Sequence, residues 1–252
     1  MAVPFDVFFH SSPLFNDGVK EFIVKIVTWN CGRKYRTKSD MIASYKPDIA
    51  IIQECECPEK LLFSEGMVPP TTNKWFGNLV NTRFPGMSIM SYTGLEFSVY
   101  ESYDPGIKYC IPIRVSGHLN FNIIAVLGDI DDVYNAVNVY RRFITSCETM
   151  IIGDFNSNPS FSKTGRHIEV VNILKGMNIV SVYHERNKKE HGEEVRPTYY
   201  QHYHSDKPSH VDYCFLPIHL ANKVTYFEIG DFDTWIKTKL SDHSPIFMEL
   251  EL

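Results

Sequence analysis

No stretch of this 252-residue sequence approaches the roughly 20 consecutive apolar residues that cross a bilayer, and its N-terminus has no basic region followed by an apolar core. Neither a membrane span nor a secretory leader is expected. Cysteine is sparse: Cys31, Cys55, Cys57, Cys110, Cys147 and Cys214 are scattered through the sequence. Cys55 and Cys57 are too close for a comfortable disulfide and lack a second pair at zinc-finger spacing. All therefore read as reduced thiols, the pattern of a cytoplasmic protein. Positive charge is also short, with 25 Lys plus Arg against 30 Asp plus Glu and a net charge of -5. That argues against holding nucleic acid by bulk electrostatics, although a local basic rim or a metal ion can still neutralise phosphate. Repeats, low-complexity runs and Pro/Gly/Ser linkers are missing too, so one domain is expected.

What is present is a generous supply of core residues, 44% hydrophobic and 13% aromatic. Residues 1–21, broken by Pro4, Pro13 and Gly18, are expected to form an N-terminal arm or extra edge segment, and 22–252 a single domain. Phe22–Trp29 and Asp48–Ile52 read as buried strands around a short helix, Ser39–Tyr45, that Pro47 stops. The chain from Cys57 to Arg83 reads as loop. Met87–Met90, Glu96–Glu101, Tyr109–Val115 and Leu119–Val126 read as strands, the last two as a hairpin across Ser116-Gly117-His118. Helical spacing of apolar residues predicts helices over Val133–Ser146 and over Arg166–Gly176, the second with Ile168, Val171 and Leu174 on one face. Pro197–His202, Val211–Leu216, Val224–Ile229 and Pro245–Leu250 read as closing strands, and Lys188-Lys189-Glu190 as a mobile loop. Strand-helix-strand units mixed with hairpins imply mixed sheets covered by helices.

The chain is organised around Thr149-Met150-Ile151-Ile152-Gly153-Asp154-Phe155-Asn156. An apolar β-branched run reads as a buried strand that stops at Gly153. If the segment stays extended, Asp154 and Asn156 project together while Phe155 packs behind them. Polar groups at the carboxyl end of a buried strand are where α/β sheets bind ligands, although an Asx turn leaving a strand looks the same. Two other strands end similarly, at Trp29-Asn30 and at Gln53-Glu54. Asp212 sits in an otherwise apolar strand, where a buried carboxylate needs a partner. His243, inside Leu240-Ser241-Asp242-His243-Ser244-Pro245, is a natural one, because a carboxylate on one ring nitrogen fixes the tautomer and raises the basicity of the other.

Taken together, Trp29-Asn30, Gln53-Glu54, Gly153-Asp154-Phe155-Asn156, Asp212-Tyr213 and Ser241-Asp242-His243-Ser244-Pro245 resemble the ordered motifs of the endonuclease/exonuclease/phosphatase superfamily. These are the pancreatic-deoxyribonuclease-like metal-dependent phosphoesterases. The likeness runs from about Ile23 to the C-terminus, and Thr198-Tyr199 ahead of Asp212 adds to it. The Gly-Asp-Phe-Asn-Ser-Asn and His-Val-Asp-Tyr wording is similar to small uncharacterised bacterial members.

The resemblance implies an α/β (α+β) fold, a four-layer α/β/β/α sandwich of two mixed β-sheets with the active site at one end. It implies Mg2+ as cofactor, with Mn2+ as a substitute. Glu54 would be the main metal ligand, with Asn30 beside it and Asp242 close by, directly or through water. Asp154 would orient or deprotonate the attacking water, Asn156 would hold a phosphate oxygen, and His243 would sit on the phosphate, oriented by Asp212. Two positions depart from the pattern. Gly32 stands where many members have an acid, which favours one metal over two. The strand Ile123–Val126 runs into Leu127-Gly128-Asp129 where a His or Tyr is usual, so that donor is missing or supplied from elsewhere, with Tyr134 and His118 as candidates.

The implied activity is phosphodiester hydrolysis, a nuclease before a phosphatase or phosphodiesterase on a small-molecule or lipid phosphoester. A catalytically inactive binding module of the same fold is the third reading. The implied partner is nucleic acid or another phosphoester, with no obligatory protein partner evident. Arg83, Lys74 and Asn81 are candidate phosphate contacts or plain solvated surface. His202 and His204, with His210, could suggest a transition-metal site, but a polar exposed strand and turn is the plainer account.

Overall fold

The structure is a computed structural model that describes residues 22–61, 63, 65, 68–77 and 86–252. The expected arm over 1–21, and Arg83 and Asn81, lie outside the described residues. Strands follow in chain order as β1 (Ile23–Asn30), β2 (Ile49–Cys55), β3 (Thr72–Phe76), β4 (Gly86–Ser91), β5 (Glu96–Val99), β6 (Cys110–Ser116) and β7 (Phe121–Leu127). After these come β8 (Thr149–Asp154), β9 (Ile179–Ser181), β10 (Tyr199–Tyr200), β11 (Pro208–Ser209), β12 (Asp212–Pro217), β13 (Val224–Ile229) and β14 (Ile246–Glu251). The helices are α1 (Ser39–Ala43), α2 (Ile130–Val139), α3 (Arg141–Ser146), α4 (Arg166–Lys175), α5 (Val182–Asn187), α6 (Ile218–Ala221) and α7 (Phe232–Trp235).

Two six-stranded sheets result, ordered β13-β14-β1-β2-β4-β3 and β5-β6-β7-β8-β12-β9. Each is antiparallel except for one parallel pair, β1–β2 in the first and β7–β8 in the second. Alternation along the strands decides the layering. Ile49 and Ile51 of β2 meet Ile123, Ala125, Met150 and Ile152 of the other sheet in the central core. Ile124, Val126 and Ile151 point the other way, under α2, α3 and α4. Val27, Trp29, Ala50 and Ile52 face outward under Tyr35, Ile42, Trp235 and Ile236. Helix, sheet, sheet and helix are thus the four layers, as the family resemblance implied. Among the described residues no helix is long and apolar enough to cross a membrane.

Several local expectations are corrected. The region read as loop contains β3, a polar edge strand hydrogen-bonded to β4. The helix expected over 133–146 begins at Ile130 and breaks at Tyr140, whose hydroxyl accepts from the Asp104 backbone N–H at 3.0 Å. Asp129 caps α2, its carboxylate accepting from the N–H groups of Asp131 and Asp132. The Leu127-Gly128-Asp129 departure is therefore the place where β7 is converted into a helix start. In α4 the buried face is His167, Val170, Val171 and Leu174, while Ile168 is exposed. The strand expected over 197–202 shrinks to Tyr199–Tyr200, because His202 and Tyr203 adopt left-handed backbone at φ 53° and 63°. His202 and His204 consequently do not present two rings from one strand face.

Candidate active site

Both parallel pairs end at the same end of the sandwich. In β1–β2 the register sets Asn30 beside Gln53, and in β7–β8 it sets Leu127 beside Asp154. The antiparallel partner β12 places Asp212 opposite Asp154. Asn30, Asp154 and Asp212 are all buried, closing the central core with polar groups that must satisfy one another.

They do so across the sheets. Asn30 Nδ2 donates to Asp154 Oδ2 at 3.0 Å and lies 3.4 Å from Glu54 Oε1. The second Asp154 oxygen accepts the Asn156 backbone N–H at 2.8 Å. His243 Nδ1 hydrogen-bonds Asp212 Oδ2 at 2.9 Å, which leaves its Nε2 facing Asp154 Oδ2 at 3.9 Å. The loop bearing His243 is pinned from several sides. Ser241 Oγ donates to the Asn30 carbonyl at 2.8 Å, Trp29 Nε1 donates to the His243 carbonyl at 2.8 Å, and the Tyr199 ring packs 4.7 Å from the imidazole. Thr198 joins the two halves: its Oγ1 accepts from the N–H groups of Val211 and Asp212, and its carbonyl accepts from Ser244 N–H.

Charge follows from this packing. Burial alone would lower the His243 imidazole, but Asp212 and Asp154 outweigh it and push it up to about 10. Burial raises the Asp154 carboxyl to about 7, against the opposing pull of His243. At neutral pH His243 is therefore a proton donor, and Asp154 is poised between acid and base.

Glu54 completes the other side. Its side chain is one-third exposed, with Arg33 Nε 4.0 Å from Oε2. Glu54 and Asn156 both hold positive φ, at 52° and 46°, where a non-glycine residue is strained and strain clusters at functional sites. Asn156 thus leaves the extended path that the sequence reading assumed. It is exposed, with Nδ2 donating to the Gly128 carbonyl at 3.4 Å. Phe155, in contrast, is buried against Tyr213 and Phe215. The strand itself continues through Gly153, whose φ of 136° and a would-be Cβ 2.1 Å from the Val126 carbonyl admit only glycine.

Asp242 is half-buried next to Gly32, where a Cβ would stand 3.8 Å from its Oδ1 and 3.1 Å from Ser241 Oγ. Crowding and a φ of 58° explain why no acid occupies position 32. Glu54, Asp242 and the Asn30 amide are hard oxygen-bearing groups on the more open flank, and that donor set suits a magnesium-class cation. Asp154, Asp212 and His243 also lie close enough to hold an ion. Because His243 is already tied to Asp212 and all three are buried, the Glu54 side fits better.

Of the remaining candidates, Tyr134 lies on α2 with the Arg166 guanidinium 4.0 Å above its ring. His118 sits in the β6–β7 turn, at the opposite end of that strand pair from Asp154. Lys74 lies on β3, the edge strand. The sequence reading missed Arg33 and Lys38. Lys38 Nζ is buried under the site, donating to the carbonyls of Cys31 and Leu240. The basic run Arg33-Lys34-Tyr35-Arg36 directly after the Asn30 motif was the available signal.

No protein-family model matches the sequence, and no characterised relative matches it by sequence. Solved structures do match in shape. The endonuclease domain of TRAS1, a telomere-specific non-LTR retrotransposon, superposes with a TM-score of 0.63 at 14% identity, over 91% of this chain and 99% of that one. The 3′ phosphatase NExo from Neisseria, bound to product DNA hairpin, gives 0.63 at 16% identity over 91% and 100%. The 3′-5′ exonuclease NExo from Neisseria meningitidis gives 0.58 at 16% over the same shares. This chain has a deoxyribonuclease-I-like fold.

Proposed function

We propose that this chain is a divalent-metal-dependent phosphodiester hydrolase, a nuclease acting on DNA or another nucleic acid. The observation that carries the reading is the cross-sheet cluster in which Asp212 bonds His243, His243 faces Asp154 at 3.9 Å, and Asn30 joins Asp154 to Glu54. A purely structural sheet end has no use for two buried carboxylates against one imidazole, since each buried charge costs desolvation.

A phosphodiester is anionic and repels hydroxide, so hydrolysis needs positive charge on the non-bridging oxygens and a positioned water. Magnesium or manganese held by Glu54, with Asn30 and Asp242 beside it, would supply charge neutralisation. His243, kept protonated by Asp212 and Asp154, donates to a phosphate oxygen as negative charge builds. Asp154, with one oxygen fixed by Asn156 N–H and the other by Asn30, is oriented to take a proton from the attacking water. Asn156 and Arg33 stand on the exposed rim, where they can hold the phosphate.

The test is hydrolysis of single- and double-stranded DNA, an abasic duplex, RNA, a chromogenic phosphodiester and a 3′-phosphorylated oligonucleotide, each with magnesium or manganese and with chelator. Metal-dependent cleavage of a polynucleotide supports the reading. Turnover of the 3′-phosphate alone favours a phosphomonoesterase, the second reading, to which the similarity to a 3′ phosphatase points. No turnover of any substrate by folded protein contradicts both and leaves the inactive binding module.

A further inference from the structure

Behind the catalytic loop, on the outer face of the second sheet, lies a cluster the mechanism above does not use. His184, on α5, bonds Ser181 Oγ through Nδ1 at 2.7 Å and Glu194 Oε1 through Nε2 at 2.9 Å. His191 stacks on His184 with ring centroids 3.6 Å apart, and its Nδ1 lies 3.1 Å from His167 Nε2. Among the described residues His210 Nε2 is buried without a hydrogen-bond partner, and its ring stands 5.9 Å edge-on from that of His184. A hydrophobic core satisfied by ordinary packing does not gather this many imidazoles around one carboxylate.

We propose that this cluster is a binding site for a zinc-class transition-metal ion, with His184, His191 and Glu194 as ligands. One atom from each already lies within 4.8 Å of the other two. Two imidazoles and a carboxylate are borderline-soft nitrogen and oxygen donors, which select zinc over magnesium or calcium. The supporting shell is in place. Ser181 orients His184, while Asn158 Nδ2 and Gly192 N–H hold Glu194 at 3.0 Å. A cavity of about 250 Å³ opens onto Ser181, His184 and His191 and supplies a path for the ion. The ion replaces the proton between His184 and Glu194, and His191, half-buried and followed by Gly192 at φ 98°, turns out of its stack to complete the set.

The site reaches the catalytic end through Asn158. Its Nδ2 also donates to the His210 carbonyl at 3.1 Å, two residues before Asp212, and it lies in the same segment as Asp154 and Asn156. A bound ion therefore fastens the exit of β8 to the entry of β12, a structural role separate from phosphate chemistry.

The experiment titrates zinc chloride into chelator-treated protein carrying Glu54→Gln and His243→Ala, which weakens ion uptake at the catalytic end, with magnesium chloride as comparison. One equivalent of zinc is expected, with a higher thermal midpoint and no such response to magnesium. Adding His191→Ala is expected to weaken binding by about 100-fold or more. Cobalt loading of the first protein gives an independent reading, with the intense visible bands of four-coordinate, nitrogen-ligated cobalt expected. Absence of zinc uptake, equal affinity with and without His191, or only the weak bands of an all-oxygen octahedral ion would overturn the site.

Discussion

Asn30 Nδ2 donates to Asp154 Oδ2 at 3.0 Å, joining the ends of strands from different sheets across 124 residues of sequence. The same amide stands 3.4 Å from Glu54, and its oxygen accepts Gly32 N–H at 3.1 Å. One side chain thus spaces the Glu54 carboxylate from the Asp154 carboxylate. Asn30→Ala is expected to lower kcat by about 100-fold with little loss of fold. Asn30→Asp is expected to be worse, because it sets a third carboxylate against Asp154. Steady-state kinetics of both proteins check this; an Asn30→Asp protein as active as wild type would refute the spacing role.

In the proposed mechanism Asp212 acts on phosphate only through His243. Asp212→Asn and His243→Ala are each expected to reduce kcat by about 10²- to 10⁴-fold, and the double variant by no more than the worse single one. Asp212→Asn should also lower the His243 pKa, since it removes the partner that outweighs burial. Measuring the imidazole titration by NMR separates this positioning role from simple loss of structure.

The pH profile follows from the two shifts. Asp154, raised to about 7 by burial, must be ionised to accept a proton, so the rate falls as pH drops below about 7. His243, held up at about 10, must be protonated to donate, so the rate falls again as pH rises past about 10. A bell with those limbs is expected in kcat, and Asp212→Asn should move the alkaline limb down. An alkaline limb unmoved by that substitution would assign it to another group.

Stability has its own pH dependence. Burial lowers His167 to about 4 and depresses His191 and His210 as well. The unfolded chain takes up these protons near pH 6.5, before the folded one can, so stability present above 6.5 is lost as pH falls toward 4. Between pH 7 and 5 the loss is about 2 kcal/mol for His167 alone. His243 has the opposite sign: its contribution is complete below 6.5 and fades as pH rises toward 10. Urea denaturation of chelator-treated protein across that range checks both limbs.

The backbone offers a prediction free of titration. Gly153→Ala puts a Cβ 2.1 Å from the Val126 carbonyl at a φ of 136°, between two paired strands that cannot yield. A loss of more than about 3 kcal/mol is expected, seen as a lowered thermal midpoint or insoluble protein.

The sequence disclosed the layers and the site strands because burial on both sheet faces writes itself as apolar runs ending in polar residues. Ile49 to Ile52 and Met150 to Ile152 are of that kind. Strand β3 was hidden because an edge strand of Thr72, Asn73 and Lys74 needs no such run. The break at Tyr140 was hidden because helical spacing of apolar residues continues across it. Left-handed backbone at Glu54, Asn156 and His202 falls on residues with no glycine to announce it. The histidine cluster was invisible for another reason: His167, His184, His191, Glu194 and His210 are spread over several elements and meet only in the fold.

The central claim is that the Glu54 side holds a catalytic metal while His243 acts on the phosphate. The most direct measurement is magnesium-dependent cleavage of a labelled oligonucleotide by wild type, Glu54→Gln and His243→Ala, each shown folded by circular dichroism. The account predicts chelator-sensitive cleavage by wild type, loss in both variants, and partial recovery of Glu54→Gln alone at high metal concentration. Cleavage that persists in His243→Ala, or that is indifferent to chelator, would contradict it.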